Sequence, residues 1–247
     1  MAKTMITRVV LVRHGQTAWN RVERFRGRAD VPLDETGLEQ AQLAGARIAR
    51  DWPVAAIYSS PLSRARKTAE AIASRLDLPA QVHQGLIDID FGEWQGLTRE
   101  EARQRWPESV DAWFSAPHTV QIPSGESLEV LRARAMAAVR DIKSRHDGGI
   151  VVAVAHAAVN RVILLGILGL GNDRFWRLAQ DTCAINVFEA QAGDFTLVSL
   201  NDTCHLAPPE PSPRRLAWGV TPQGGPTCST FPGAPSTREA PKNAASE

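Results

Sequence analysis

Arg13 and His14 directly follow the apolar run Val9 to Val12, and His156 directly follows a second such run, Ile150 to Ala155. A neutral imidazole is a nucleophile near pH 7, and a guanidinium grips phosphate oxygens in a fork. Arg64 comes shortly after the apolar stretch Val54 to Tyr58 and its Ser59–Ser60 turn. One histidine at a strand end is ordinarily structural. Two histidines and two arginines at three such ends instead describe an anion site with a nucleophile inside it. The segment from Gly85 to Gly96 adds three carboxylates, Asp88, Asp90 and Glu93, any of which can supply the proton that a leaving group needs.

These groups meet only if the elements before them are parallel neighbours in one sheet. Four consecutive apolar residues suit a strand buried on both faces, and open α/β sheets hold ligands at their carboxyl edge. Gly15 lets the chain turn sharply there. Thr36 and Gly37 open a helix reaching about Asp51, with Leu38, Leu43 and Ile48 among its apolar positions. Pro61 suits the first position of the next helix, whose Leu62, Ala65, Ala69, Ile72 and Leu76 share a face. A weaker strand is expected from Gln81 to His83. Thr98 to Ser115 reads as two helical pieces divided by Pro107, a cap carrying Trp106 and Trp113. Pro123 to Ser127 opens a long helix with Leu128, Leu131, Ala135, Val139 and Ile142 as its buried stripe, ended by Gly148 and Gly149. A helix from Ala157 to about Leu168 follows His156, and Asn186 to Ala190 pairs antiparallel with Thr196 to Leu200. The expected fold is therefore α/β: a three-layer sandwich with a mostly parallel central sheet, helices on both faces, a small helical cap and one antiparallel edge strand.

Composition narrows the partners. With 28 Lys plus Arg against 27 Asp plus Glu, the net charge of +1 offers no general attraction to nucleic acid or anionic membrane. No stretch approaches the roughly 18 apolar residues of a membrane span, and the run after Lys3 and Arg8 is too short for a signal peptide. Three cysteines, Cys183, Cys204 and Cys228, lack metal-ligand spacing and suit free thiols in a reducing cytoplasm. Nine of the sixteen prolines fall after Ala207, so residues 1–206 are read as the folded domain and 207–247 as a disordered tail.

LVRHGQTAWN, from Leu11, resembles the signature of the histidine phosphatase superfamily, in its phosphoglycerate mutase-like branch. SSPLSRARKTAEAIA, from Ser59, resembles the family's second arginine segment, and DIDFGEWQGLT, from Asp88, its acidic segment. VVAVAHAAVNRVI, from Val151, is similar to the segment with the second histidine, and LNDTCHL, from Leu200, to the closing strand of phosphatase members. The resemblance spans about Ile6 to Leu206. It implies that His14 attacks phosphorus, that Arg13, Arg64 and His156 hold the transferred group, and that Asp88 is proton donor and acceptor. Asp90 and Glu93 stay open for that last role, because many members have glutamate where Asp88 stands. Asn20, Arg26, Gly27 and the backbone of Ala157 are implied as further phosphate contacts. Relatives often have a small or amide side chain at the position of Arg26, and glycine at that of Ala157.

The stretch between Asp88 and His156 is too short for the lysine- and arginine-rich insertion of the mutases, and its Trp106, Trp113 and Phe114 suit an organic leaving group. The expectation is a phosphomonoester hydrolase working through a phosphohistidine on His14, with no metal and no cofactor, on a small phosphorylated metabolite. A 2,3-bisphosphoglycerate-dependent phosphoglycerate mutase is the alternative, and a non-catalytic phospho-ligand module the second. A cytoplasmic enzyme, alone or as a homodimer, fits this reading.

Overall fold

The structure is a computed structural model that describes residues 5–206. The expectation for 207–247 lies outside the described residues, as does Cys228. Along the chain come β1 (Thr7–Arg13), α1 (Ala18–Arg21), α2 (Glu35–Asp51), β2 (Ala56–Ser59), α3 (Ser63–Leu76) and β3 (Ala80–Val82). The cap helices α4 (Arg99–Arg105) and α5 (Pro107–Ser115) follow, then α6 (Leu128–Arg145), β4 (Ile150–Ala155), α7 (Ala157–Ile167), β5 (Ile185–Gln191) and β6 (Asp194–Asp202). Among the described residues six strands form one sheet, in the order β3-β2-β4-β1-β5-β6. β1, β2, β3 and β4 run parallel, and the antiparallel pair β5 and β6 closes the sheet on the far side of β1.

The apolar runs are buried on both faces, as their lack of alternation requires. Val9, Leu11, Tyr58 and Ala153 pack toward α6, α7 and the cap, with Trp94 and Trp113 in the same cluster. Val10, Val12, Ile57, Val152 and Val154 face the other way, onto Ile48 of α2 and Ala65, Ala69 and Ile72 of α3. Three layers result, with helices on each face. Burial of each large side chain here stabilises the fold by roughly 1.5–3 kcal/mol.

The helices start where side chains satisfy their first N–H groups. Asp34 Oδ1 accepts the Gly37 N–H at 2.9 Å ahead of α2, Thr98 and Glu101 form a reciprocal capping box ahead of α4, and Ser127 Oγ accepts from Val130 at the head of α6. Pro107 begins α5, as Pro commonly does.

Three local expectations shift. Leu38 is exposed, because α2 turns its small residues Ala41, Ala44 and Gly45 inward: a Cβ on Gly45 would lie 2.7 Å from the Ala71 carbonyl oxygen of α3. Pro61 stands before its helix rather than in it, since Ser60 and Pro61 make the turn and α3 begins at Ser63. The loop after Thr17 also contains one short helix, α1, closed by a capping box between Thr17 and Asn20.

Candidate active site

Register sets the carboxyl edges level. Arg13 lies opposite Ala155, and Ser59 opposite Val154, so β1, β4 and β2 end side by side. Four residues separated in sequence, His14, Arg64, Asp88 and His156, then share one buried crevice. The His14 and His156 ring centres are 5.1 Å apart. Asp88 Oδ2 accepts from Arg64 Nη2 at 3.1 Å and lies 3.5 Å from His156 Nδ1. Arg64 and His156 have no exposed surface, and His14 is 1% exposed.

Each group is held from behind. His14 Nδ1 donates to the Gly15 carbonyl at 2.6 Å, which leaves the lone pair on Nε2. The Gly15 N–H donates to Thr68 Oγ1, whose own hydroxyl donates to the Arg64 carbonyl one helical turn back in α3. Arg64 Nη2 also donates to the Gly27 carbonyl and Nη1 to that of Ala29, both at 2.7 Å, while its buried Nε has no hydrogen-bond partner among the described residues. Gly27 can offer that carbonyl because its φ of +51° bends the loop inward, a conformation that costs glycine little. Arg13 Nη1 donates to the Gln180 carbonyl, and the Gln180 side chain is locked between Asn160 and Asn186. Asp88 Oδ1 accepts its neighbour's Ile89 N–H at 2.9 Å. Arg134 of α6 fastens the whole acidic segment, donating to the carbonyls of Gly85, Ile87 and Asp88 while paired with Glu126.

The other carboxylates are occupied elsewhere. Asp90 pairs with Arg28 at 3.0 Å and accepts from the Gly92 N–H; Glu93 is exposed and accepts from Ser124 Oγ. Asn20 Oδ1 accepts from the Thr17 N–H and hydroxyl, so this oxygen orders the loop. Ala157 opens α7 directly after His156, which places its N–H among the unbonded donors of a helix start. Arg26 is partly buried, and its Nε has no hydrogen-bond partner among the described residues.

Electrostatics follow from this crowding. Burial, then Arg64, Arg13 and Arg26, holds the His14 ring well below the usual histidine range. Burial, then Arg64, His14, Arg26 and Arg13, does the same to His156. Both rings are neutral at pH 7. Arg13 is pushed down to about 10 by burial and by Arg161, and Arg26 to about 9 by burial and Arg13, so both remain cations. Three guanidiniums against one carboxylate leave a cavity that favours a doubly charged anion.

Ser60, Thr68, Gln180 and Arg134 complete this arrangement, and reading the sequence did not single them out. Ser60 sat in a turn already marked as important, but nothing in the chain tells which hydroxyl turns toward His156.

The profile of the histidine phosphatase superfamily, branch 1, matches residues 9–203. The chain belongs to this superfamily. Phosphoserine phosphatase 1 of Hydrogenobacter thermophilus is 33% identical over 201 residues, 81% of this chain and 95% of that protein. A metal-independent phosphoserine phosphatase of Arabidopsis thaliana is 38% identical over 204 residues, 82% of this chain and 84% of its own. The fold is likewise similar to that of a phosphoserine phosphatase mutant from Entamoeba histolytica in complex with phosphoserine. That match has a TM-score of 0.74 and 28% identity, covering 81% of this chain and 100% of the other. This histidine phosphatase is an enzyme that hydrolyses phosphomonoesters. Among its described residues no helix is long and apolar enough to cross a membrane.

Proposed function

We propose that this histidine phosphatase moves the phosphoryl group of a small phosphomonoester first to Nε2 of His14 and then to water. The single observation that carries this reading is the 2.6 Å bond from His14 Nδ1 to the Gly15 carbonyl, which points a lone pair rather than a proton into the crevice. As the Nε2–P bond forms, positive charge grows on the ring, and the Gly15 oxygen stabilises it. Arg13 and Arg64, with a ring N–H of His156 facing the phosphoryl group, take the charge on the equatorial oxygens, so the step as proposed needs no metal ion. The Asp88 carboxylate first takes the proton of the arriving monoanionic ester, and the P–O bond to the leaving group breaks while Asp88 passes that proton to the departing alkoxide. Water then attacks the phosphohistidine, the Asp88 carboxylate takes its proton, the P–N bond breaks, and His14 returns neutral.

For the substrate, the reading best supported is phosphoserine or a similar ester that bears a carboxylate. Two of the matched relatives are named phosphoserine phosphatases, and Arg26 adds a third guanidinium to a cavity that two suffice to make phosphate-binding. The test is phosphate release from phosphoserine, phosphoglycerates, sugar phosphates and an aryl phosphate in the presence of a chelator. Turnover in chelator with a preference for the carboxylate esters is expected. Loss of turnover in chelator contradicts the metal-free route, and exchange between phosphoglycerate isomers in place of release contradicts hydrolysis.

A further inference from the structure

Ser60 carries no role in the mechanism above, yet it is fully buried and its hydroxyl lies 2.7 Å from His156 Nε2. Its backbone is fixed too, because the Ser60 N–H donates to the Val154 carbonyl and extends the pairing of β2 with β4 by one residue. Ser60 Oγ accepts the Leu62 N–H at 3.3 Å, and among the described residues the hydroxyl proton has no acceptor other than His156 Nε2. On the opposite side of the ring, His156 Nδ1 is buried with no hydrogen-bond partner among the described residues, and Asp88 Oδ2 lies 3.5 Å from it.

From this geometry we infer that Ser60 is a positioning residue: by donating to Nε2 it fixes His156 as the Nδ1–H tautomer, so that a neutral ring still presents a proton to the phosphoryl oxygens. The inverse assignment fails on both sides of the ring. With the proton on Nε2, the Ser60 hydroxyl proton would lack an acceptor, and an Nδ1 lone pair would face the Asp88 carboxylate and every oxygen of an arriving phosphate. An imidazole's tautomer is set by the bond its other nitrogen makes, and here that bond comes from a side chain that the fold holds still. Neutrality matters because the ring sits among guanidiniums that already oppose a further positive charge. His14 and His156 thus have the same tautomer for opposite purposes: in His14 the proton on Nδ1 is turned away so that Nε2 can attack, and in His156 it is turned inward so that Nδ1 can donate.

The inference rests on the proposed role of His156 facing the phosphoryl group, but its central claim is readable without substrate or turnover. Full-length protein with ¹⁵N-labelled histidine, examined by two-bond ¹⁵N–¹H correlation at pH 7.5, should show the His156 ring protonated on Nδ1, its signals assigned by their loss in His156→Asn. In Ser60→Ala the ring should lose that fixed tautomer, and kcat/KM for an aryl phosphate should fall about 10–100-fold. Ser60→Thr, which keeps the hydroxyl, should restore the Nδ1–H signal. A wild-type ring protonated on Nε2, or on both nitrogens, overturns the inference whatever the activity. An unchanged tautomer in folded Ser60→Ala overturns it as well. A correct tautomer with an inactive wild-type protein leaves the inference standing and removes the proposed function instead.

Discussion

At His14 and Asp88 the proposed chemistry divides between two residues whose surroundings treat them oppositely. The imidazole is stripped of water and pressed by cations, whereas the carboxylate receives Arg64 and a backbone N–H. His14→Ala should abolish an acid-labile phosphoenzyme, detected with radiolabelled substrate after denaturation at neutral and at low pH. Asp88→Asn should still fold, because the amide oxygen can accept from Arg64, and it should turn over roughly 10²–10⁴-fold more slowly. Near-normal rates in Asp88→Asn would move the acid to Asp90 or Glu93 against their present pairings with Arg28 and Ser124.

At the scale of elements, two close contacts decide whether the crevice forms. A Cβ on Gly37, in the first turn of α2, would lie 2.0 Å from the Gln16 carbonyl oxygen, and one on Gly15 would lie 2.4 Å from the Gly37 carbonyl. Gly37→Ala should therefore destabilise the protein by about 3 kcal/mol in urea unfolding, the cost of overpacking where only backbone can give way. The loop before Asp88 depends in the same way on one side chain from α6. Arg134→Met keeps the apolar stem but removes the bonds to three carbonyls, and should cost about 2–3 kcal/mol together with a lower kcat. These are also the contacts that the order of residues conceals. Runs such as Ile150–Ala155 announce buried strands by their own composition, and a histidine after two of them, with Arg13 beside the first, announces the site. Arg134 reaching Asp88, Ser60 reaching His156 and Gln180 reaching Arg13 bridge wide gaps in the chain, and polar residues of these types are common on any solvated surface. Leu38 shows the converse. Its apolar side chain looked like core, but the small residues of α2 set which face approaches α3.

For the molecule as a whole, the two site histidines tie stability to pH. Both rings bind a proton far less readily in the fold than the ordinary value of 6.5. As pH falls through that value the unfolded chain takes up protons that the folded protein refuses, so stability declines, by at most about 1.4 kcal/mol per pH unit for each ring. Thermal unfolding between pH 7.5 and 5.5, above the range of ordinary carboxylates, should show Tm dropping with acid. His156→Asn should make that slope shallower. A flat profile would mean that the rings take up protons as readily in the fold as in the unfolded chain.

The strand order has a consequence for how the enzyme is made. β4 is the fourth strand along the chain yet lies between β1 and β2, so the two earliest strands have no contact in the sheet until residues 150–155 slot between them. A nascent chain halted before that point holds Arg13, His14 and Arg64 and the contacts of Gly15 with Thr68, but it lacks His156 and the strand that sets the ends of β1 and β2 level. With the proposed roles, competence waits on one late step of synthesis, and a product cut short before it should show no turnover.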